Sequence, residues 1–237
     1  VYSNRFFQSA VWQTFGFQNT NAYRYYRLNL LNVYGAGHDP YEVEFFEPAA
    51  AISRVNGVVA GCQDFDGVSN ELNAIRPITL PRTNISVSCW SRHDVAAAAD
   101  DGLLGTSGNG SWNNGFGLFY ANASTIEFWV KQYNVASNYV STTVTATNWN
   151  HFYGTYDGSI LALYVNGQLK NIKTNSSVVT DSSWWFLMGR MADPSAGHPY
   201  DFNGKLDEVR LENVGRSSNW VWACWFNQAS NSSFATY

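Results

Sequence analysis

The sequence has few of the residues that build metal centres and redox sites. It contains three cysteines, Cys62, Cys89 and Cys224, which are widely spaced and form no Cys-x-x-Cys pair. Zinc sites are usually built from closely spaced cysteine and histidine pairs, so this spacing argues against one. Three cysteines allow at most one disulfide among themselves, and the spacing does not choose between the possible pairs.

Charge and long apolar runs are also scarce. Charged residues make up 14% of the chain, the net charge is −4, and arginine and lysine are scattered. A nucleic-acid groove needs clustered basic residues, so no nucleic-acid partner is expected. No apolar run approaches the roughly 20 residues that span a bilayer, so no membrane span is expected. The chain opens at Val1 rather than Met, so the lack of a leader pattern says little about secretion.

Aromatic and turn-forming residues are abundant, and their order between Trp149 and Leu211 predicts β-structure. Alternate residues from Leu161 to Val165 share one face of a strand, because side chains alternate sides. Asn166-Gly167 supplies the left-handed backbone that a tight hairpin requires. Asp157-Gly158 supplies a second turn of this kind, at the other end of the same strand. A strand between two hairpin turns indicates an antiparallel sheet.

The same patterns predict the other elements. Further strands are expected at Val58–Phe65, Leu72–Ile78, Ile85–Arg92, Tyr139–Thr145, Trp184–Gly189 and Leu206–Leu211. A hairpin is expected over Gly115–Val130 with its turn near Ala121-Asn122, and loops over Asp94–Gly102 and Asp193–Tyr200. Ser217-Ser218 is a suitable cap for a short helix over Asn219–Phe226. Three tryptophans are expected in the core: Trp90, Trp149 and Trp185.

Four motifs stand in the order found in laminin-G-like (concanavalin A-like) sandwich domains of bacterial and phage proteins. They are Trp149-Asn150-His151-Phe152, Gly154-Thr155-Tyr156-Asp157-Gly158, Tyr164-Val165-Asn166-Gly167 and Gly204-Lys205-Leu206-Asp207-Glu208-Val209-Arg210. Phe65-Asp66-Gly67 and Ile85–Trp90 resemble the first two core strands of that family. The resemblance covers about residues 50–237 and implies an all-β fold, an antiparallel two-sheet jelly-roll sandwich.

Residues 1–49 are different in character. Tyr23–Leu28 and Glu42–Phe45 resemble the last strands of a discoidin-like (coagulation factor 5/8 type C) domain. Three strands cannot close such a sandwich, and a lone three-stranded sheet is marginal in water. We therefore expect a partial, three-stranded discoidin-like segment at 1–49 and the sandwich at 50–237. Truncation of a longer protein and docking onto the sandwich both remain open.

The resemblance also implies a structural Ca²⁺, because members of the family often carry one. Asp66 and Asp207 match the recurring aspartate positions of the family, and Asp64 lies close to Asp66. Calcium takes several oxygen ligands from carboxylates and carbonyls, so these three residues are the candidate metal ligands. The alternative is that Asp66 serves a turn and that Asp207 binds backbone amides or pairs with Arg210.

Aromatic and polar residues in the loops are candidates for carbohydrate binding, because sugars present apolar faces and hydroxyl edges. Trp112 is the most suggestive, since the loop 109–115 is otherwise polar; its ring is either exposed for contact or folded back as a lid. Glu127 and Trp129 share one face of their strand. The candidate ligand-binding residues are Trp112, Asn113, Asn114, Trp184, Arg190, His198 and Tyr200.

We therefore expect a non-catalytic recognition or adhesion module on an extracellular, cell or virion surface, with a glycan or surface receptor as its partner. The first alternative is a structural coat, decoration or fibre protein, working as a homo-oligomer or beside neighbouring chains. The second is a polysaccharide hydrolase. Glu42-Val43-Glu44-Phe45-Phe46-Glu47 resembles the Glu-x-Asp-x-x-Glu motif of β-glucanases, but Glu44 replaces the aspartate and the motif precedes the sandwich. No catalytic residue is expected.

Overall fold

The computed structural model describes residues 54–68, 71–73, 83–95, 100–106, 112, 114–133, 135–175, 186–191 and 200–230. The predictions for residues 1–49, including the discoidin-like strands and the Glu42–Glu47 motif, lie outside these ranges. The domain division at residue 50 stays a prediction.

Within the described ranges the chain forms thirteen strands and one α-helix. The strands are β1 (Arg54–Asn56), β2 (Gly61–Asp66), β3 (Leu72–Asn73), β4 (Ile85–His93), β5 (Asp101–Thr106), β6 (Phe116–Asn122), β7 (Thr125–Val130), β8 (Tyr139–Thr143), β9 (Asn150–Tyr156), β10 (Ile160–Val165), β11 (Gln168–Thr174), β12 (Leu187–Met188) and β13 (Asn203–Glu212). The helix α1 spans Ser218–Ala229. Among these ranges no helix has both the length and the apolar character that a bilayer span requires.

The described strands form two antiparallel sheets. One sheet has seven strands in the order β1-β2-β13-β4-β9-β10-β11, and the other has six in the order β3-β12-β5-β6-β7-β8. Strands that neighbour in a sheet are often distant in sequence, as β4 and β13 are, so the sheets close only through long-range pairing. The prediction of an all-β, antiparallel two-sheet sandwich is confirmed.

The main core lies between the two sheets. Val87 and Cys89 of β4 and Phe152 of β9 face Leu118 of β6 and Phe128 of β7, and all five are fully buried. Burying an apolar side chain of this size contributes about 1.5–3 kcal/mol, so the layer between the sheets supplies most of the driving force for folding.

The hairpins predicted between Trp149 and Leu211 are present. β10 pairs with β9 on one side and β11 on the other. Asn166 and Gly167 have φ of 51° and 73°, the left-handed values that this turn requires. The Asn166 side chain accepts a hydrogen bond from the His151 amide (2.8 Å) and donates one to Asn150 Oδ1 (3.2 Å), which anchors the turn to β9.

Helix α1 covers the outer face of the seven-stranded sheet. Ser217 caps it, with its hydroxyl accepting a hydrogen bond from the Trp220 amide, as the sequence predicts. Val221 packs against Tyr153 of β9, and the Trp90 indole donates to Gln228 Oε1 at 2.7 Å. The helix therefore closes this face, and it extends beyond the predicted Asn219–Phe226 at both ends.

The predicted start of one strand and the predicted burial of one tryptophan are wrong. The strand predicted from Val58 begins only at Gly61, because the amides of Val58 and Val59 turn to donate to Asp207 Oδ2, each at 2.8 Å. Trp149, expected in the core, is only half-buried and lies under the Arg92 guanidinium, 5.5 Å from the ring centroid. Trp90 is buried as expected. Trp185 lies outside the described residues.

Two side chains of β11 and that of Asn175, the residue after it, join the two sheets at one edge of the sandwich. Asn171 donates to the Ser141 carbonyl at 2.8 Å, and Lys173 donates to the Ala136 carbonyl at 2.8 Å. Asn175 donates to the Ser137 carbonyl at 2.6 Å. These bonds hold β11 of one sheet against β8 and the turn before it in the other.

Candidate functional site

The outer face of the six-stranded sheet carries a second aromatic cluster. Phe119 of β6 and Trp129 of β7 point away from the main core, because they alternate with Leu118 and Phe128. Loop residues and β8 cover these two rings. We call this surface the aromatic face, and it consists of Trp112, Phe119, Glu127, Trp129, Tyr133, Tyr139, Met191 and Tyr200.

Two glycines make room for Met191 on this face. A Cβ added at Gly117 would overlap Met191 and the Trp129 indole, and one added at Gly105 would also meet Met191. The thioether therefore lies over bare backbone, where its sulfur accepts the Trp129 Nε1–H at 3.3 Å. Methionine suits such an irregular gap because it is unbranched and flexible.

Trp112 sits at the centre of the aromatic face. Its ring centroid lies 4.7 Å from that of Tyr200, 4.8 Å from Tyr133 and 5.0 Å from Phe119. Its side chain is 4% exposed, so it is folded back as a lid, the second of the two alternatives given above. Its φ of 51° is unusual for a bulky residue and costs on the order of 1–3 kcal/mol, which the surrounding contacts must offset.

Three tyrosines form the solvent-facing part of the aromatic face. Tyr133, Tyr139 and Tyr200 are each partly exposed. Lys173 reaches over from β11, with its ammonium 4.5 Å from the Tyr139 ring centroid. Partly exposed rings with hydroxyl tips can stack on apolar faces and also form hydrogen bonds.

Glu127 is the acidic residue of the aromatic face. It lies opposite Phe119 in the sheet, and the Tyr133 hydroxyl donates a hydrogen bond to its carboxylate. The Oε2 atom of Glu127 is buried with no hydrogen-bond partner. Burial raises the pKa of Glu127, and the nearby Asp100 adds to this, while the Tyr133 hydrogen bond and Lys173 oppose it.

The structure brings together only some of the predicted carbohydrate-binding residues. Trp112 and Tyr200 are in ring contact on the aromatic face, and Asn114 is half-buried two residues after Trp112. Arg190 precedes Met191, but its guanidinium pairs with Glu71 and Asp201, each at 2.6 Å. A sugar-binding role for Arg190 stays a prediction. Asn113, Trp184 and His198 lie outside the described residues.

Glu127, Tyr133 and Tyr139 were not among the predicted site residues. The available signal was that β6 and β7 have aromatic residues on both faces: Phe119 lies on the face opposite Tyr120 in β6, and Trp129 lies on the face opposite Phe128 in β7. A sheet with a solvated outer face alternates apolar with polar residues, so aromatics on both faces indicate a second covered surface. Finding Tyr133 also requires the loop geometry, in which its amide donates to the Trp112 carbonyl at 3.0 Å.

The three candidate calcium ligands have separate partners. Asp207 accepts hydrogen bonds from the amides of Val58, Val59 and Glu208, and burial raises its pKa to about 6. Asp66 accepts the Val68 amide at 2.9 Å. Asp64 pairs with Lys205 at 3.1 Å, and Arg210 pairs with Glu208 rather than with Asp207.

No metal-binding group emerges in the part of the chain that the structure describes. There, no three histidine, cysteine, aspartate or glutamate side chains are grouped to hold an ion. Calcium needs several oxygens directed at one point, so the backbone-binding and ion-pairing roles fit these aspartates better than a shared calcium site does. Calcium binding by the chain stays a prediction.

The sandwich and its motifs correspond to a known family. Residues 66–221, well over half of the chain, match the family model of the concanavalin A-like lectin/glucanases superfamily. The chain belongs to this superfamily. The resemblance stated from the motifs is therefore confirmed over that range. No curated protein sequence matches the chain.

Solved structures give the same fold for this superfamily member. Domain 4 of a GH43 extracellular arabinanase from Geobacillus stearothermophilus, solved with arabinotriose, has 16% identity and a TM-score of 0.55, covering 73% of this chain and 81% of the domain. The binding domain of Paraclostridial Mosquitocidal Protein 1 has 12% identity and a TM-score of 0.53, covering 73% of this chain and 45% of that one.

A third similar structure is a sialidase carbohydrate-binding domain. The CBM40 domain of the Ruminococcus gnavus IT-sialidase, bound to α2,3-sialyllactose, has 13% identity and a TM-score of 0.50, covering 66% of this chain and 96% of the domain. At these identities the likeness shows the fold, which many different functions share.

Proposed function

We propose that this chain is a non-catalytic glycan-binding module that works on an exterior surface, with the aromatic face as its ligand surface. The observation that carries the proposal is the contrast between the two outer faces of the sandwich. Helix α1 covers one of them, while the other presents the partly exposed rings of Tyr133, Tyr139 and Tyr200.

The chemistry of this face suits a sugar. Pyranose and furanose rings have C–H faces that pack on aromatic rings, and hydroxyl edges that need donors and acceptors. The tyrosines offer both a ring and a hydroxyl, and Glu127 adds a buried carboxylate oxygen that has no hydrogen-bond partner. Ligand sites commonly combine an apolar, aromatic lining with a small number of convergent polar groups.

The superfamily neighbours support the same class of ligand. The arabinanase domain was solved with arabinotriose, and the sialidase domain with sialyllactose. Both are domains of glycan-acting enzymes, which favours a binding role for this chain and a location where glycans are displayed.

A glycan array with matched variants tests the proposal. Tyr139→Ala and Tyr200→Ala remove rings from the aromatic face, and we expect each to weaken binding of an array hit about tenfold, which corresponds to about 1.4 kcal/mol. The control is Trp222→Ala, which removes a 47% exposed ring from α1 on the opposite side. The proposal fails if no glycan binds, or if the control weakens binding as much as the two tyrosine variants do.

A structural role in an assembly is the second candidate. It is favoured by helix α1, where Trp220 and Trp222 are 43% and 47% exposed although both are large and apolar. Exposed aromatics of this kind are enriched at contacts between proteins. Light scattering of the purified chain separates the two candidates: a monomer supports the binding module, while an oligomer that Trp222→Ala disrupts supports the assembly.

A further inference from the structure

We propose that the ligand of the aromatic face is a glycan with free amino groups, an amino sugar whose ammonium sits against the Glu127 carboxylate and the tyrosine rings beside it. This inference rests on the proposed function, because it names the chemical class of glycan for the same face.

The first observation is the state of Glu127. Its side chain is 8% exposed, and Oε2 is buried without a hydrogen-bond partner. Leaving a buried acceptor unpaired costs about 1–3 kcal/mol, and more when the group is charged. Tyr133 supplies one donor to this carboxylate, and a ligand ammonium that displaces the side chains covering Oε2 would supply a second.

The second observation is the charge around this carboxylate. Asp100 raises the pKa of Glu127 and also those of Tyr133 and Tyr200, so a negative charge lies on the tyrosine side of the face. Lys173 offsets part of this negative charge, but the Lys173 ammonium already donates a hydrogen bond to the Ala136 carbonyl. A neutral hydroxyl would leave the repulsion between the two carboxylates in place. An ammonium would relieve it, and charge-assisted hydrogen bonds are roughly twice as strong as neutral ones.

The third observation is that the face already holds a cation on an aromatic ring. The Lys173 ammonium lies 4.5 Å from the Tyr139 ring centroid. An ammonium over a tyrosine ring gains about 0.5–2 kcal/mol, depending on how far it is desolvated. Rings and carboxylate together therefore favour an amine over the acetamide or hydroxyl that occupies the same position in other sugars.

Three tetrasaccharides test this inference directly. The β-1,4-linked tetramers of glucosamine, N-acetylglucosamine and glucose share one backbone and differ only in the group at C2. We expect calorimetry at pH 6, where the amines are protonated, to show the glucosamine tetramer binding at least tenfold more tightly than either of the others. Equal affinity for the three, or no binding of the glucosamine tetramer, overturns the inference.

Two variants test whether Glu127 causes the preference for the glucosamine tetramer. Glu127→Gln keeps the shape and removes the charge, so we expect the ratio of the glucosamine to the glucose Kd to return to about one. Glu208→Gln removes one negative charge from the helix-covered sheet, where Glu208 binds Arg210 and Gln228, and should leave the ratio unchanged. If both variants lower the ratio equally, general charge attraction explains it and the inference fails.

The two proposals fail in different ways. If the tetramers bind equally well, or if only neutral glycans bind on the array, the glycan function stands and the amine preference is wrong. If no glycan of any kind binds, the proposed function itself is wrong. The wild-type ratio needs no variant, so misfolding of Glu127→Gln, checked by thermal melting, does not remove the test.

Discussion

His151 is a buried histidine, and among the described residues no acidic side chain pairs with it to stabilise its protonated form. Its ring lies 5.2 Å from the Trp90 ring and 5.9 Å from the Tyr153 ring, centroid to centroid, beneath helix α1. Burial, with the Arg210 charge adding, lowers the pKa of His151 to about 3. The fold therefore holds the neutral ring across the whole range in which free histidine titrates.

We therefore predict that the fold loses stability in acid. Below the usual histidine pKa of about 6.5 the unfolded chain takes up a proton that the folded chain does not, so the free energy of unfolding falls as pH falls from 6.5 towards 3. By pH 5 the loss from this residue is about 2 kcal/mol. Urea denaturation at pH 7 and pH 5 measures it.

His151→Phe is the matched variant, because it keeps the ring and cannot be protonated. We expect a smaller loss of stability between pH 7 and pH 5 in this variant than in the wild-type chain. An identical loss in both would show that other groups cause the acid sensitivity.

Sequence reasoning at this scale works from a residue's neighbours in the chain, and the ligand-binding roles that it gives to Trp112 and Tyr200 stay predictions. Trp112 was identified because its loop is otherwise polar, and Tyr200 because it ends a long loop. The engagement of Arg190 was missed because its partner Glu71 is far away in the sequence. Pairing of that kind depends on how the sheets assemble.

The strands and hairpins also divide into those that follow from local sequence and those that depend on residues far away in the chain. The Asn166-Gly167 turn follows from local backbone preference, and helix α1 from its serine cap, so both were predicted. The turn at Val58 and Val59 depends on the Asp207 carboxylate, almost 150 residues later, and was predicted as strand. The aromatic face also depends on distant partners, since its members come from three strands and from loops that only the assembled sheet brings together.

Gly117 of β6 should be intolerant of any side chain. A methyl group there would overlap Met191 and the Trp129 indole, so Gly117→Ala should lower the free energy of unfolding by about 1–3 kcal/mol, the usual cost of overpacking. Chemical denaturation of the variant measures the loss.

A double variant locates the strain. Met191→Ala empties the space above Gly117, so adding it to Gly117→Ala should cost less than the sum of the two single changes. Simple additivity would mean that the strain lies against the other neighbour of this position, the Trp129 indole.

The described part of the molecule is a sandwich with unlike outer faces, and no metal-binding group is found there. Cross-sheet bonds from β11 and long-range strand pairing hold it together, and the three candidate calcium ligands are engaged with backbone amides or lysine. The fold therefore has internal partners for the charges that a calcium ion would otherwise satisfy.

Melting with and without a calcium chelator tests this for the intact chain. We expect the Tm to be unchanged by the chelator, because an ion stabilises a fold only if it binds the folded state, and Asp64, Asp66 and Asp207 are engaged elsewhere. A Tm that falls with chelator, recovers with added calcium and no longer responds in Asp207→Asn would place calcium at Asp207 after all.

The packing of Met191 over Gly105 and Gly117 has an evolutionary consequence. The three positions share one small volume, so a substitution at one changes which residues are acceptable at the others. Relatives with a larger residue at position 117 should carry a smaller one at position 191, and those that keep both glycines should keep a long, flexible side chain above them. In an alignment of related sequences, the residues at positions 105, 117 and 191 should therefore covary.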